Sequence, residues 1–224
     1  VKVVDGRAKI IAGTGSNNTY ASIELTKRAE KIGVDGVLLV SPYYNKPNQQ
    51  GLYEHFKAIA DSTSLPVMLY NIPGRTAVTI SIDTIVKLSE IPNIVAIKES
   101  TGDIAAATEI ISKTDDQFML YSGDDYMTLP FLSIGAKGVV SVAAHIIGNE
   151  MQEMITAYQQ GEHMKAAQLH QQLMPIMNGL FIAPNPTPVK TALQMKGMDV
   201  GSVRLPLVPL SIEERTTLTN ILNQ

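Results

Sequence analysis

The sequence predicts an α/β protein: a (β/α)8 barrel, with about six strand–helix units present, followed by a C-terminal helical domain. Three observations predict it. Six apolar, β-branched runs, at 9–14, 36–41, 66–71, 93–99, 117–122 and 138–143, alternate with helix-period stretches. This is the pattern of parallel βαβ units buried on both faces. The units repeat at roughly 30 residues, one eighth of a barrel of ~250 residues. Every run also ends in a polar or reactive cluster: "GTGSNN", "SPYYN", "YNIPGRT", "KEST", "SGDD" and "SVAAH". Barrels place chemistry at the C-terminal ends of their strands, whereas an open sheet concentrates it near one switch point.

The helical stretches follow in order. After the first run, "NNTYASIELTKRAEKIG" carries Ile23, Leu25, Ala29 and Ile32 as an apolar face, with Gly33 as its stop. After the second, Leu52, Phe56 and Ile59 are spaced as one helical face. Beyond Ala144 the strand signal ends. From Gly148 onward the pattern is helical, broken at Gly161, at "APNPTPVK" and at "RLPLVPL". The expected division is a partial barrel over 1–160 and a helical domain over 161–224.

Composition narrows the class of function. Of 224 residues, 45 % are hydrophobic and 17 % charged, which is globular and not disordered. A net charge of −3 leaves no basic footprint for nucleic acid or an anionic membrane. No apolar run approaches the ~20 residues of a membrane-spanning helix. Cysteine is absent, so neither a disulfide framework nor a thiolate metal site can form. That fits the reducing cytoplasm, the expected location.

In "NIVAIKES", Lys98 ends an apolar strand. Alternation puts Ile94, Ala96 and Lys98 on one face and Val95 and Ile97 on the other. If the second pair packs on helices, Lys98 points into the barrel mouth. Poor solvation there disfavours the charged amine and frees the lone pair for attack on a carbonyl, the requirement for a Schiff-base nucleophile. The alternative is a strand-end lysine snorkelling to water or paired with Glu99 or an aspartate. Tyr70 ends the preceding strand, where a phenol relays protons to a neighbouring amine, or is simply a half-buried core tyrosine. Arg75, past Pro73 and Gly74, suits bidentate capture of a carboxylate above the strand ends, or a loop salt bridge. Tyr43 and Tyr44, adjacent in extended chain, point in opposite directions and should have different tasks.

Other candidates are weaker. Asp124 and Asp125 have no third metal ligand nearby, which favours hydrogen bonding or structure, and no metal site is expected. His163 and His170, seven apart, suit an exposed helix face. In "GTGSNN" the third glycine of a dinucleotide loop is Asn18, so that motif fails.

The combination "YNIPGRT", "VAIKEST", "YSGDD" and "GVVSVAAH" resembles the dihydrodipicolinate synthase family of Schiff-base aldolases. The similarity runs through "APNPTPVK" and "RLPLVPL". The resemblance implies a TIM barrel with a C-terminal helical domain, usually a homotetramer of tight dimers. The implied reaction condenses pyruvate with aspartate 4-semialdehyde on the route to diaminopimelate and lysine, with no metal or organic cofactor. Carried over, Lys98 forms the imine, Tyr70 is proton donor and acceptor, and Arg75 holds the semialdehyde carboxylate. Val140 contacts pyruvate through its backbone, with Gly123 nearby. Tyr44 matches the tyrosine lent across the tight interface to the partner's relay. Asn17 and Tyr43 match part of a lysine effector site, but Ala21 stands where feedback-inhibited relatives place an acid, which argues against lysine control. Family members begin with two further strand–helix units, about sixty residues at ~30 per unit. A barrel short of them is expected to be inactive, or to close by dimerising or rearranging. The alternatives are another pyruvate-dependent aldolase, such as a neuraminate lyase or a 2-keto-3-deoxy sugar-acid aldolase, and an inactive fragment that only folds and self-associates. Arg75 argues against the former.

Overall fold

A computed structural model of the chain describes residues 1–223. Six strands lie in one sheet in chain order: β1 (Ile11–Gly13), β2 (Gly36–Val40), β3 (Val67–Asn71), β4 (Ile94–Glu99), β5 (Met119–Ser122) and β6 (Gly138–Val139). The first five pair in parallel. Between them run α1 (Thr19–Ile32), α2 (Gln49–Ala60), α3 (Pro73–Thr76), α4 (Ile82–Ser89), α5 (Ile104–Lys113) and α6 (Thr128–Ser133). After β6 come α7 (Ala144–Gln159), α8 (His163–Gly179), α9 (Thr187–Met195) and α10 (Ile212–Leu222). This is a partial (β/α)8 barrel followed by a helical C-terminal region. Two compact units can be separated, residues 1–123 with 133–138 and residues 124–132 with 139–224.

In the first unit, strand alternation sorts side chains by environment. Val37, Leu39, Val67, Leu69 and Ile97 are fully buried, as are Leu52, Phe56, Ile59, Leu88 and Ile110 from the helices. Each such burial contributes about 1.5–3 kcal/mol. Ile11, Met68, Ala96, Met119 and Tyr121 line a cavity of about 390 Å³, whose wall also includes Val37 and Val67.

The β3–β4 ladder contains one irregularity. Val67 pairs with Ile94 but Met68 pairs with Ala96, leaving Val95 without a partner in the register. Strict alternation therefore fails over 94–98. Ile94 shares the level of Val67 and Ile97 that of Leu69, while Val95 lines the cavity beside Ala96. The expected grouping of Val95 with Ile97 is corrected accordingly.

Helix ends follow side-chain chemistry. Asn18, Asn48, Ser81 and Asp103 cap α1, α2, α4 and α5 by accepting from backbone N–H groups, and Gly33 ends α1 with φ 87°. The buried face of α1 is not the apolar one expected. Ser22, Thr26 and Ala29 face inward, while Leu25 and Ile32 are exposed. Hydroxyl bonding explains the choice: Thr26 Oγ1 lies 2.9 Å from Thr14 Oγ1, and Ser22 Oγ accepts from Ser16 N at 2.9 Å. The sixth strand also stops early, at Val139. The next residues turn into a helix, where Ala144 N donates to Ser141 Oγ at 2.8 Å and Ala143 N to Asp125 Oδ2 at 2.9 Å. In the second unit, Met151, Met154, Leu173, Met177, Leu180, Val189 and Leu218 form the core. His163 is exposed beside Tyr158, but His170 is half-buried and its pKa lowered by burial, unlike the exposed face expected for both.

His55 on α2 is 6 % exposed, with Nδ1 2.8 Å from Thr19 Oγ1 and Nε2 lacking a hydrogen-bond partner among the described residues. Burial lowers its pKa from 6.5 to about 4. Between those values the unfolded chain takes up a proton that the folded chain refuses, so stability falls as pH drops through this window, by about 1–3 kcal/mol. Urea midpoints at pH 7 and pH 4.5 should show this slope, and His55→Gln should flatten it.

Candidate active site

Register builds the site. Tyr70 pairs with Lys98, and Lys98 pairs with Tyr121, so all three share one face of the sheet, that of Met68, Ala96 and Met119. Lys98 is 9 % exposed, and its Nζ lies 4.2 Å from the centroid of the Tyr70 ring. A buried ammonium loses hydration, and an aromatic face returns roughly 0.5–2 kcal/mol of it. An amine and a phenol therefore sit side by side at two adjacent strand ends, as the sequence predicts.

The strand ends are tied to one another. Tyr70 O accepts from Ser41 N at 3.1 Å and from Ser41 Oγ at 3.0 Å. Ser100 N donates to Asn71 O at 2.9 Å, and Gly123 N donates to Glu99 O at 2.8 Å. These bonds link the C-terminal ends of β2 to β5, which restricts how far Tyr70 and Lys98 can drift apart.

Gly123 packs against the lysine stem. A Cβ there would collide with Ser100 Oγ and stand 3.0 Å from Lys98 Cε and 3.1 Å from Lys98 Cγ. Only glycine leaves this space. Ser100 Oγ is itself buried and has no hydrogen-bond partner among the described residues.

Arg75 is exposed on α3, whose turn is fixed by Arg75 N and Thr76 N donating to Ile72 O at 3.0 Å. The loop salt bridge open to Arg75 is not made among the described residues. Gln49 steadies the loop beyond it, donating to Thr79 O and accepting from Ser81 N, both at 2.9 Å.

Tyr44 is 89 % exposed with φ 77°, an uncommon backbone conformation for a tyrosine. It is not packed into the Lys98–Tyr70 pair of its own chain. Tyr43 is partly exposed, and Asn45 Nδ2 donates to Asn17 O at 2.9 Å, so the loops carrying Asn17 and Tyr43 are joined. Val140 belongs to the second unit, just past β6. Asp125 is buried and accepts from Ala143 N. No group of three or more His, Cys, Asp or Glu side chains among the described residues could hold a metal.

Of the residues after Tyr70 and Lys98, Asn71 escapes the sequence reading, and Glu99 enters it only as a possible partner for the Lys98 amine. Both are buried, and Asn71 Nδ2 donates to Glu99 Oε2 at 2.9 Å. Their signal was position: a residue next to one on that face points to the other side of the sheet.

A model of the dihydrodipicolinate synthetase family matches residues 1–224. The chain belongs to this family. It is 61 % identical over 224 residues to a 4-hydroxy-tetrahydrodipicolinate synthase of Bacillus velezensis, covering 100 % of this chain and 78 % of that protein. A crystal structure of dihydrodipicolinate synthase from Bacillus anthracis superposes with a TM-score of 0.98 at 66 % identity, covering 100 % of this chain and 76 % of that one. A dihydrodipicolinate synthase from Cyanidioschyzon merolae, solved with lysine bound, gives a TM-score of 0.97 at 46 % identity, covering 99 % and 76 %.

The Gly123 contact is testable. Gly123→Ala should displace the Lys98 stem or Ser100, lowering the rate at which the Lys98 amine is modified by a small amine-reactive reagent at least tenfold, for a stability loss of about 1–3 kcal/mol. Peptide mass mapping and urea denaturation on the same sample measure the two effects.

Proposed function

We infer that the protein is a 4-hydroxy-tetrahydrodipicolinate synthase, condensing pyruvate with L-aspartate 4-semialdehyde in diaminopimelate and lysine biosynthesis. The observation that carries this is the buried Lys98 amine over the Tyr70 ring at paired strand ends, in a chain of this family.

Lys98 Nζ attacks the pyruvate C2 carbonyl, and loss of water leaves an imine. Tyr70 moves the protons of that dehydration. The protonated imine is an electron sink that eases removal of a proton from the pyruvate methyl. The resulting enamine carbon attacks the aldehyde. The semialdehyde's own amine then displaces Lys98 from the imine carbon, closing the ring and releasing the enzyme.

The remaining assignments share this reading. Arg75, exposed and without a salt bridge among the described residues, takes the semialdehyde carboxylate as a bidentate pair. Gly123 keeps the space beside Lys98 open, and Val140 contributes backbone contact to pyruvate. Tyr44, held outward, serves the proton relay of a second copy, so the working form is a homo-oligomer, a dimer or tetramer, in the cytoplasm. Asn17 and Tyr43 form part of a lysine effector site that lacks its acid at Ala21.

Incubation with pyruvate and borohydride, followed by peptide mass mapping, tests the reading. The pyruvate adduct is expected on Lys98 alone, and Lys98→Ala should abolish it. An unmodified Lys98 sinks the assignment. Turnover with aspartate semialdehyde but not with sugar aldehydes separates this synthase from other pyruvate aldolases.

A further inference from the structure

We propose that Asn71 and Glu99 form a positioning clamp that holds Tyr70 against Lys98, a role that rests on the Schiff-base reading above. Each residue directly follows a reacting one, and the two are register partners, as Tyr70 and Lys98 are. Alternation turns them to the other side of the sheet. There they line a separate cavity of about 330 Å³ together with Ile82 and Ile85 of α4 and Ala106 and Ile110 of α5. Neither can touch a substrate held by Lys98 and Tyr70, so neither is a catalytic residue.

The clamp joins three segments. Asn71 Nδ2 donates to Glu99 Oε2 at 2.9 Å across β3 and β4. Ile80 N donates to Asn71 Oδ1 at 3.1 Å, fixing the far end of the loop that carries Arg75. Thr101 N donates to Glu99 Oε1 at 2.7 Å, fixing the turn beyond Lys98. Glu99 is 1 % exposed and Asn71 2 %. A carboxyl group that deep is tolerated only when its oxygens receive donors, so each of these bonds is strongly held. An apolar pair of this size would pack as well but would fix no register. The polar pair sets the axial position of one strand end against the other, and with it the separation of Nζ from the phenol. Misplacement by about an ångström costs on the order of a hundredfold in rate.

The bonding pattern provides its own control. Asn71→Asp sets two carboxylates against each other, and Glu99→Gln sets an amide donor against either Asn71 Nδ2 or Thr101 N. Combined, the two changes restore a matched pair with its polarity reversed. The new amide donates to the new carboxylate, and the backbone donors of Ile80 and Thr101 keep their acceptors.

The measurements are kcat and KM for the condensation, and the rate of borohydride-trapped pyruvate adduct, in both single variants and the double variant. Melting temperatures are recorded for each, and assays run well below them. Each single variant should lose at least tenfold in kcat with KM for aspartate semialdehyde changed less than threefold. Adduct formation should slow in parallel, and the double variant should recover to within threefold of the parent. Folded single variants with kcat within twofold of the parent overturn the clamp. A double variant no better than its singles also overturns it. If the parent protein itself forms no adduct, it is the Schiff-base reading that fails, which keeps the two failures distinct.

Discussion

The site depends on one extra residue in a strand. Without the irregularity at Val95, the ladder that starts at Val67 and Ile94 would set Ile97 opposite Tyr70 and Lys98 opposite Asn71. The amine would then point toward the helices. With it, Lys98 returns to the face of Met68 and Ala96, beside Tyr70. Bulges re-aim side chains in this way beside functional sites. The exchange is favourable. Giving up about one ladder hydrogen bond costs a net ~0.5–1.5 kcal/mol, whereas keeping both Ile94 and Ile97 buried retains ~1.5–3 kcal/mol each. These isoleucines are three residues apart, a spacing no regular strand can bury on one face. Both are at or below 2 % exposure.

From that point the layers divide the work. One face of the sheet provides stability through Val37, Leu39, Val67 and Leu69, and the other, that of Met68 and Ala96, carries the reactive pair. Backbone bonds from Ser41, Ser100 and Gly123 join the strand ends across the sheet. A buried lysine is tolerated because the surrounding apolar burial outweighs its desolvation, and because Tyr70 offers its ring face. Function here is a local expense carried by a large core, and the core lies on the opposite side of the same strands.

Much of this is legible in the sequence, for identifiable reasons. The six apolar runs and their reactive ends specify the barrel units, because parallel strands must be apolar throughout. Lys98 and Tyr70 could be singled out because a strand end is where polar residues meet a buried face, whereas Gly123 enters only through the family resemblance. The face of α1 could not be read: hydrophobic period selects Leu25 and Ile32, but hydroxyl pairing of Thr26 and Ser22 wins the docking. The phase of β4 was equally hidden, since period two assumes an unbroken ladder. Its one sequence trace was the I-x-x-I spacing of Ile94 and Ile97. Asn71 cannot be singled out because it stands beside a more reactive neighbour, and Glu99 reads only as a possible partner for Lys98. Their partnership exists only in the register.

The central claim is that the β3–β4 register makes Lys98 and Tyr70 one chemical unit. A crystal structure of the protein soaked with pyruvate tests it most directly. The account predicts continuous electron density from Lys98 Nζ to pyruvate C2, with the Tyr70 hydroxyl within hydrogen-bond distance of the adduct. Pyruvate bound without a covalent link to Lys98, or an adduct on Lys98 with Tyr70 turned away, would contradict it.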